Sequence, residues 1–385
     1  MPTMLTGVET TTNIEAETKV RYVDPGYILK EARISPIFAI TQAIPDSKIV
    51  DQDEFEWFVK ELSPWTDIVS AAGALIGDTV IPVDHASYFN VDDFIYVPAY
   101  GEVAGPITTV GAASITVHAR AVAGAAAALV DNDIIIIIRG NVKEAGSAAE
   151  AITTKPTKVT NYVESFSHSI KVSRRVDNDR LYPGSERVNE RRQRFKEHRE
   201  AIELMLLYGY KAFQTNATTG NRWLSKGFKQ AISTNRTTID VGAGTKTFDE
   251  DDWNGYLADA SSFGDNERTF FSASEIIQRI NKFGLDGLRT RPADSKLGIA
   301  VVSYTSPFMD VNLIRHRFLS ATYGHSWFGI GIDFMDVSLR FKLRTKLNVA
   351  IQADADKFIW DEIETEVGLK VGNEALSSIF EVVNS

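Results

Sequence analysis

The chain has 385 residues, is 44% hydrophobic and carries a formal net charge of −10. With no cysteine it can form neither a disulfide nor a thiolate metal site, and its acidity argues against a general nucleic-acid binder, which carries a basic excess. No apolar run approaches the ~20 residues of a membrane span, and the polar, Thr-rich residues 1–13 lack the basic and apolar stretches of a secretion signal. The expectation is a protein of the cytosol, or one assembled there, with two or three domains.

Residues 1–48 read as an extended arm. Pro25-Gly26, Pro36 and Pro45 break any long element, while Ile28, Leu29, Ile34, Ile37, Phe38 and Ile40 are scattered anchors that need another surface. Residues 53–62 alternate as a strand, with Phe55 and Trp57 on one side, charges on the other, and Phe58 following. From 73 to 140, short β-like runs alternate with turn signals, the pattern of a small sandwich or barrel. Five consecutive isoleucines, Ile134 to Ile138, would invite aggregation if exposed, so that strand is expected to be covered on both faces. Residues 157–176 return to extended structure, with Tyr162, Phe166 and Ile170 among polar residues. Two strands flanking a β-module predict a two-stranded arm carrying a small domain.

The longest predicted element runs from 185 to 213, about 45 Å at ~1.5 Å per residue. Ser185 is its expected N-cap, with a hydroxyl able to accept from an orphan backbone N–H. Val188, Phe195, Ile202, Leu206 and Phe213 fall on one narrow stripe with Arg192 and Arg199. Up to Glu200 the rest is charged, with Glu190–Arg194 and Arg199–Glu203 at i,i+4 spacing. Beyond Ala201 it is apolar nearly all round. One end is a core helix; the other has too thin a stripe to be held by its own domain.

Residues 249–262 read as a helix opened by acidic residues, and Ser272-Ala273-Ser274-Glu275 as a capping box ahead of Ile276, Ile277 and Ile280, with Gly284 as the stop. Strand-like runs at 298–304, 311–318, 328–333, 339–352, 357–371 and 378–383 make the class α+β.

Catalytic patterns are incomplete. Gly324-His325-Ser326-Trp327-Phe328 has Phe where a nucleophile elbow closes on Gly, and Gly329-Ile330-Gly331 lacks the third glycine of a dinucleotide loop. The six histidines show no metal spacing, although His316 and His325 have room to meet in space. Asp354-Ala355-Asp356 reads as a turn, and Glu362, Glu364 and Glu366 share one strand face.

The order of elements, with Arg33-Ile34-Ser35-Pro36, Glu54-Phe55-Glu56-Trp57, the stretch from Asn161-Tyr162 to Val172, the helix from Arg187 to Leu207, Asp354-Ala355-Asp356-Lys357, Glu366-Val367-Gly368-Leu369 and Asn373-Glu374-Ala375, resembles the major capsid proteins of tailed bacteriophages. The likeness is to the Hong Kong 97-like fold, in a branch with a small β-domain inserted in the E-loop. It implies an N-terminal arm (1–48), E-loop strands (49–72 and 141–177), an inserted small β-barrel or sandwich (73–140), a peripheral domain (178–248 and 339–385) with its spine helix, and an axial domain (249–338).

The resemblance implies a homo-oligomer of pentamers and hexamers forming an icosahedral or prolate head around double-stranded DNA, without sequence-specific binding. Its expected partners are a portal protein, a separate scaffolding protein and a decoration or cement protein. No membrane, metal, cofactor or enzyme activity is expected. The place is the virion, after assembly in the host cytoplasm. No long charged helical segment precedes the arm, so a fused scaffold is not expected. Phe55, Trp57, Phe58, Tyr162 and Phe166 are the candidates to pack on neighbouring subunits. Arg187, Arg191, Arg192, Arg194 and Arg199 are expected to pair with acids of neighbouring copies or to face DNA. The alternatives are an encapsulin-like compartment shell and an α+β hydrolase.

Overall fold

In the computed structural model Pro36 does not break the chain; it opens helix α1 (Pro36–Ala43). Proline suits the first helical turn because its missing N–H would be unpaired there anyway. The next two donors, the N–H groups of Ile37 and Phe38, reach the Glu203 carboxylate at 3.0 and 2.7 Å. The structure describes residues 36–44, 46–140, 153–179, 184–216, 218, 220–265, 267–283 and 301–384, so most of the expected arm and Gly284 lie outside the described residues.

The chain then runs through β1 (Lys48–Ile49), β2 (Glu54–Val59), β3 (Thr66–Ile68), β4 (Val80–Pro82), β5 (Phe94–Val97), β6 (Glu102–Val110), β7 (Ser114–Ala123), β8 (Ile134–Ile138) and β9 (Thr157–Tyr162). Residues 58–158 form one compact unit and the remainder a second. The smaller unit is a six-stranded sheet in the order β3-β8-β5-β6-β7-β4, and a bridge between Val69 and Val83 joins its two edges into a barrel. Strand β3 belongs to this barrel, although the sequence reading left residues 66–68 in the E-loop strand. Alternation fills the inside: Ile81, Ile95, Ile107, Ile115, Ile135 and Ile137 are all buried. Ile134 and Ile138 stay 55% and 44% exposed, which corrects the expectation of cover on both faces. A barrel wraps one face of each strand around a core and leaves the other face outside. Strands β2 and β9 pair as a two-stranded ribbon through which the chain leaves and re-enters the larger unit.

The larger unit continues with β10 (Glu164–Ser173), α2 (Arg174–Asn178), α3 (Glu186–Tyr208), β11 (Ala212–Gln214), β12 (Arg222–Leu224), α4 (Phe228–Ala231), β13 (Arg236–Asp240), α5 (Glu250–Ser261), β14 (Glu267–Ser272) and α6 (Ser274–Ile280). It closes with β15 (Val301–Thr305), β16 (Asp310–Arg315), β17 (Phe328–Ile332), β18 (Val337–Asn348), β19 (Phe358–Val371) and β20 (Ser378–Val383). One sheet has the order β1-β18-β19-β10, with β10 antiparallel to β19 from Glu164↔Val367 to Ser173↔Phe358. Ile202, Leu206 and Leu207 of α3 share a core with Ile37 and Phe38 of α1, Leu339 and Phe341 of β18, and Val367 and Leu369 of β19.

A second sheet, β13-β20-β17-β14-β16-β15, buries Phe270 and Phe380 against Trp253, Tyr256 and Leu257 of α5 and Ile276 of α6. Strand β20 lies inside it, parallel to β13 and antiparallel to β17, whereas the sequence reading placed it with the peripheral strands. Helix α5 has the expected acidic start, with Asp249 and Asp252 forming a reciprocal capping box. The box expected at Ser272 does not form: Ser272 ends β14, buried, and Ala273 stands at the N-cap without a side-chain bond.

Candidate functional site

Helix α3 has 23 residues, about 35 Å, shorter than the sequence pattern predicts. It stops at Gly209 because the backbone of Ser225 and Gly227 crosses there; a Cβ on Gly209 would collide with the Ser225 and Met205 carbonyl oxygens. Ser185 is the N-cap residue, but its hydroxyl makes no capping bond; its carbonyl accepts instead from Val188 and Asn189, both at 3.2 Å.

The charged half of α3 finds partners within its own chain. Arg187 grips Asp361 of β19 with two bonds of 2.8 and 2.7 Å, and Arg191 Nε adds a third at 2.8 Å. Asp361 is 1% exposed. Burial alone would raise its pKa, but the hydrogen bonds from Arg187 and Arg191, with that of the Ala350 N–H, outweigh it and hold the carboxyl well below the usual range. Both arginines thus have an acid within their own chain. Arg194 pairs with Glu190, as the spacing predicts, and with Glu197. Arg192 is exposed and forms no ion pair among the described residues. The guanidinium of Arg199 lies over the Phe38 ring at 5.9 Å rather than on Glu203. Val188 and Phe195 are 48% and 44% exposed, the thin end of the predicted stripe.

Glu203, expected to serve Arg199, is fully buried and holds His316 Nε2 at 2.7 Å beside the two α1 donors. Phe318 N–H donates to His316 Nδ1, so the neutral ring carries its proton on Nε2. Another pair escaped sequence reading altogether: His168 of β10 and His198 of α3 meet through their Nδ1 atoms at 3.0 Å. No local spacing announces a contact between residues 30 positions apart on a strand and a helix.

The aromatic candidates divide. Phe55 is buried, its ring against Gly368 of β19, where any side chain would strike it, and stacks on Trp57 at 5.9 Å. Trp57 Nε1 donates to the Gly372 carbonyl at 3.2 Å. Tyr162 is half-buried, edge-on to Trp223 at 4.8 Å and capped by Lys211 Nζ. Phe166 packs beside the core and edge-on to His198. Phe58 is 65% exposed, and Ile49 64%.

The residues screened for catalysis sit apart. Ser326 precedes β17 rather than following a strand into a helix; neighbouring His325 stacks on Tyr208 at 4.9 Å, while His316 bonds Glu203. Glu362, Glu364 and Glu366 bond to Ser167, Asn348 and Ser165 along their strand face. Asp356 closes a turn with Ala353. Among the described residues no three His, Cys, Asp or Glu side chains converge as metal ligands, and no helix is long and apolar enough to cross a membrane.

A family model described as SU10 major capsid protein matches residues 33–384. No curated protein matches the chain in sequence. Among solved structures, the capsid of a native GTA particle is 10% identical, covers 96% of both chains and superposes with a TM-score of 0.51. A Gordonia phage Cozz structure is 9% identical over 96% of this chain and 93% of its own, with a TM-score of 0.52. The holo-SrpI encapsulin of Synechococcus elongatus PCC 7942 aligns with 59% of this chain and 77% of its own at 10% identity, and its TM-score of 0.37 carries no argument. At such identities these likenesses establish the fold alone.

Proposed function

The chain belongs to the SU10 major capsid protein family, and from that premise we propose that it builds a head shell of pentamers and hexamers around packaged double-stranded DNA. That it is a capsid protein, one of many copies in the shell of a virion, follows from the family match across residues 33–384, and this single observation carries the reading. Its fold is that of phage capsid proteins. In the proposal α3 is the spine helix, the β2–β9 ribbon with residues 58–158 is the E-loop bearing an inserted barrel, and the six-stranded sheet is the axial domain, widened to take in β13 and β20.

Head-to-tail contacts between copies close rings, and rings tile a shell. The surfaces proposed to make those contacts are the ones this chain leaves uncovered: Phe58 on the ribbon, Ile49 on β1, and Val188, Phe195 and Arg192 on α3. Phe55, Arg187 and Arg191 support them from within, and Trp57, Tyr162, Phe166, Arg194 and Arg199 offer their free faces. Obligate interfaces of roughly 2,000–5,000 Å² are the scale such a shell needs. A portal, a separate scaffold and a decoration protein complete the proposed partner set, with assembly in the host cytoplasm and no catalysis by this chain.

Sedimentation velocity and negative-stain microscopy of the purified chain, expressed with and without a candidate scaffolding protein, test this reading. Closed megadalton shells are expected. A chain that stays monomeric under both conditions at tens of micromolar overturns it, and shells filled with a protein cargo in place of DNA would point to a compartment rather than a head.

A further inference from the structure

Besides the arginines on Asp361, a directed chain of hydrogen bonds joins the middle of α3 to its sheet. Thr365 Oγ1 of β19 donates to Thr345 Oγ1 of β18 at 2.9 Å, which spends its only proton. His198 Nε2, 2.7 Å from Thr365 Oγ1, must therefore be the donor there. That leaves His198 Nδ1 as an acceptor, and His168 Nδ1, 3.0 Å away, as the donor to it. The neutral tautomers of both rings are set by geometry, from half-buried His168 through fully buried His198 into the sheet.

Protons enter this chain unequally. A first proton on His168 goes to its free Nε2, and the resulting imidazolium still donates to His198. A second, on His198, has to occupy Nδ1, where it faces the His168 N–H across 3.0 Å. Two donors and two positive charges then share a contact built for one of each, so the contact opens. We propose that His168 and His198 form an acid-sensitive latch that holds the middle of α3 on β10 and β19 and releases it when the pair takes up its second proton.

The surroundings favour the closed, neutral state. Burial, then the charge of His168, lowers the pKa of His198 to about 4, and burial lowers that of His168 as well. Glu197 on α3 draws a proton towards His168, and Arg194, one turn from His198, repels it. The other packed elements present the Thr365 and Thr345 hydroxyls and the Phe166 ring, edge-on at 6.4 Å, rather than charge. Both histidines bind protons more weakly in the folded chain than in the unfolded one. Stability is therefore complete above about pH 6.5 and is lost as pH falls from there through about 4.

The test compares the wild-type chain with His198→Gln, which keeps a neutral donor for Thr365, and with His168→Asn, which keeps a neutral donor at the Nδ1 position. Denaturant unfolding at pH 7 and pH 4, with hydrogen–deuterium exchange of α3 and β10 peptides, is the readout. The wild-type folding constant should fall on the order of 10²-fold more than that of His198→Gln, with exchange rising in both elements. His168→Asn should lie between them, and it carries the comparison if the other variant fails to fold. Superimposable pH profiles would overturn the proposal. So would a stability at pH 7 that EDTA lowers or zinc raises in wild type alone, because the two rings would then serve a metal instead of a proton.

Discussion

The two halves of α3 are one helix held in two ways. Beyond Ala201 the grip is apolar: Ile202, Leu206 and Leu207 are fully buried, and the one charge among them, Glu203, is spent on three donors from two other segments. Before it the helix is tied by ion pairs to Asp361, while Val188 and Phe195 remain bare. A burial-held half is complete in the single chain. An ion-pair-held half keeps surface to spare, which is what a subunit needs where a neighbour docks.

Breaking the buried half has the largest expected effect. Glu203→Ala leaves the α1 donors and His316 without that acceptor in a buried site, and should cost about 3–5 kcal/mol in denaturant unfolding of the unassembled subunit. Leu206→Ala should cost about 3 kcal/mol by the same measurement, since a fully buried leucine leaves both lost transfer energy and a cavity. A loss under about 1 kcal/mol for either would show that this half, too, waits for a neighbour.

Asp361→Asn is the smaller break, about 1–3 kcal/mol, because it removes the counter-charge from two partly exposed arginines. Its pH dependence sharpens the comparison. Asp361 has a strongly depressed pKa when folded, so its contribution is fully present above the ordinary carboxylate value of about 4 and is lost progressively as pH falls from there through the much lower folded value; the gap between wild type and variant should narrow steadily over that range. The smallest effect on the isolated chain is expected for Phe195→Ser combined with Arg192→Glu. Stability should move by no more than about 0.5 kcal/mol, yet shell yield should collapse in microscopy. Normal shells from that variant would remove α3's exposed face from the assembly surface.

Much of the architecture was readable along the chain. The turn-punctuated short strands of 73–140, the acidic start of α5 and the alternation that buries Phe55 beneath Trp57 all depend on residues a few positions apart. Where the reading missed, a distant segment had intervened. The helix predicted to 213 stops at Gly209, where the backbone of Ser225 and Gly227 crosses, and Pro36, a breaker along the string, begins a helix that Glu203 caps. The arginines were visible as a charged face, but the acceptor of Arg187 and Arg191 lies 174 and 170 residues away on β19.

The sequence by itself determined that this chain has a long helix with one apolar and one charged end, a β-module between two strands, and a mixed α+β remainder. Periodicity, caps and turn residues act over one or two turns or a single hairpin, and that range is legible in a linear string. The tertiary structure alone decided which acid neutralises Arg187 and Arg191, which helix Glu203 caps, and that two histidines meet in one hydrogen-bond chain. Those choices depend on which buried polar groups come within about 3 Å once the sheets have closed, and no spacing along the chain encodes that distance.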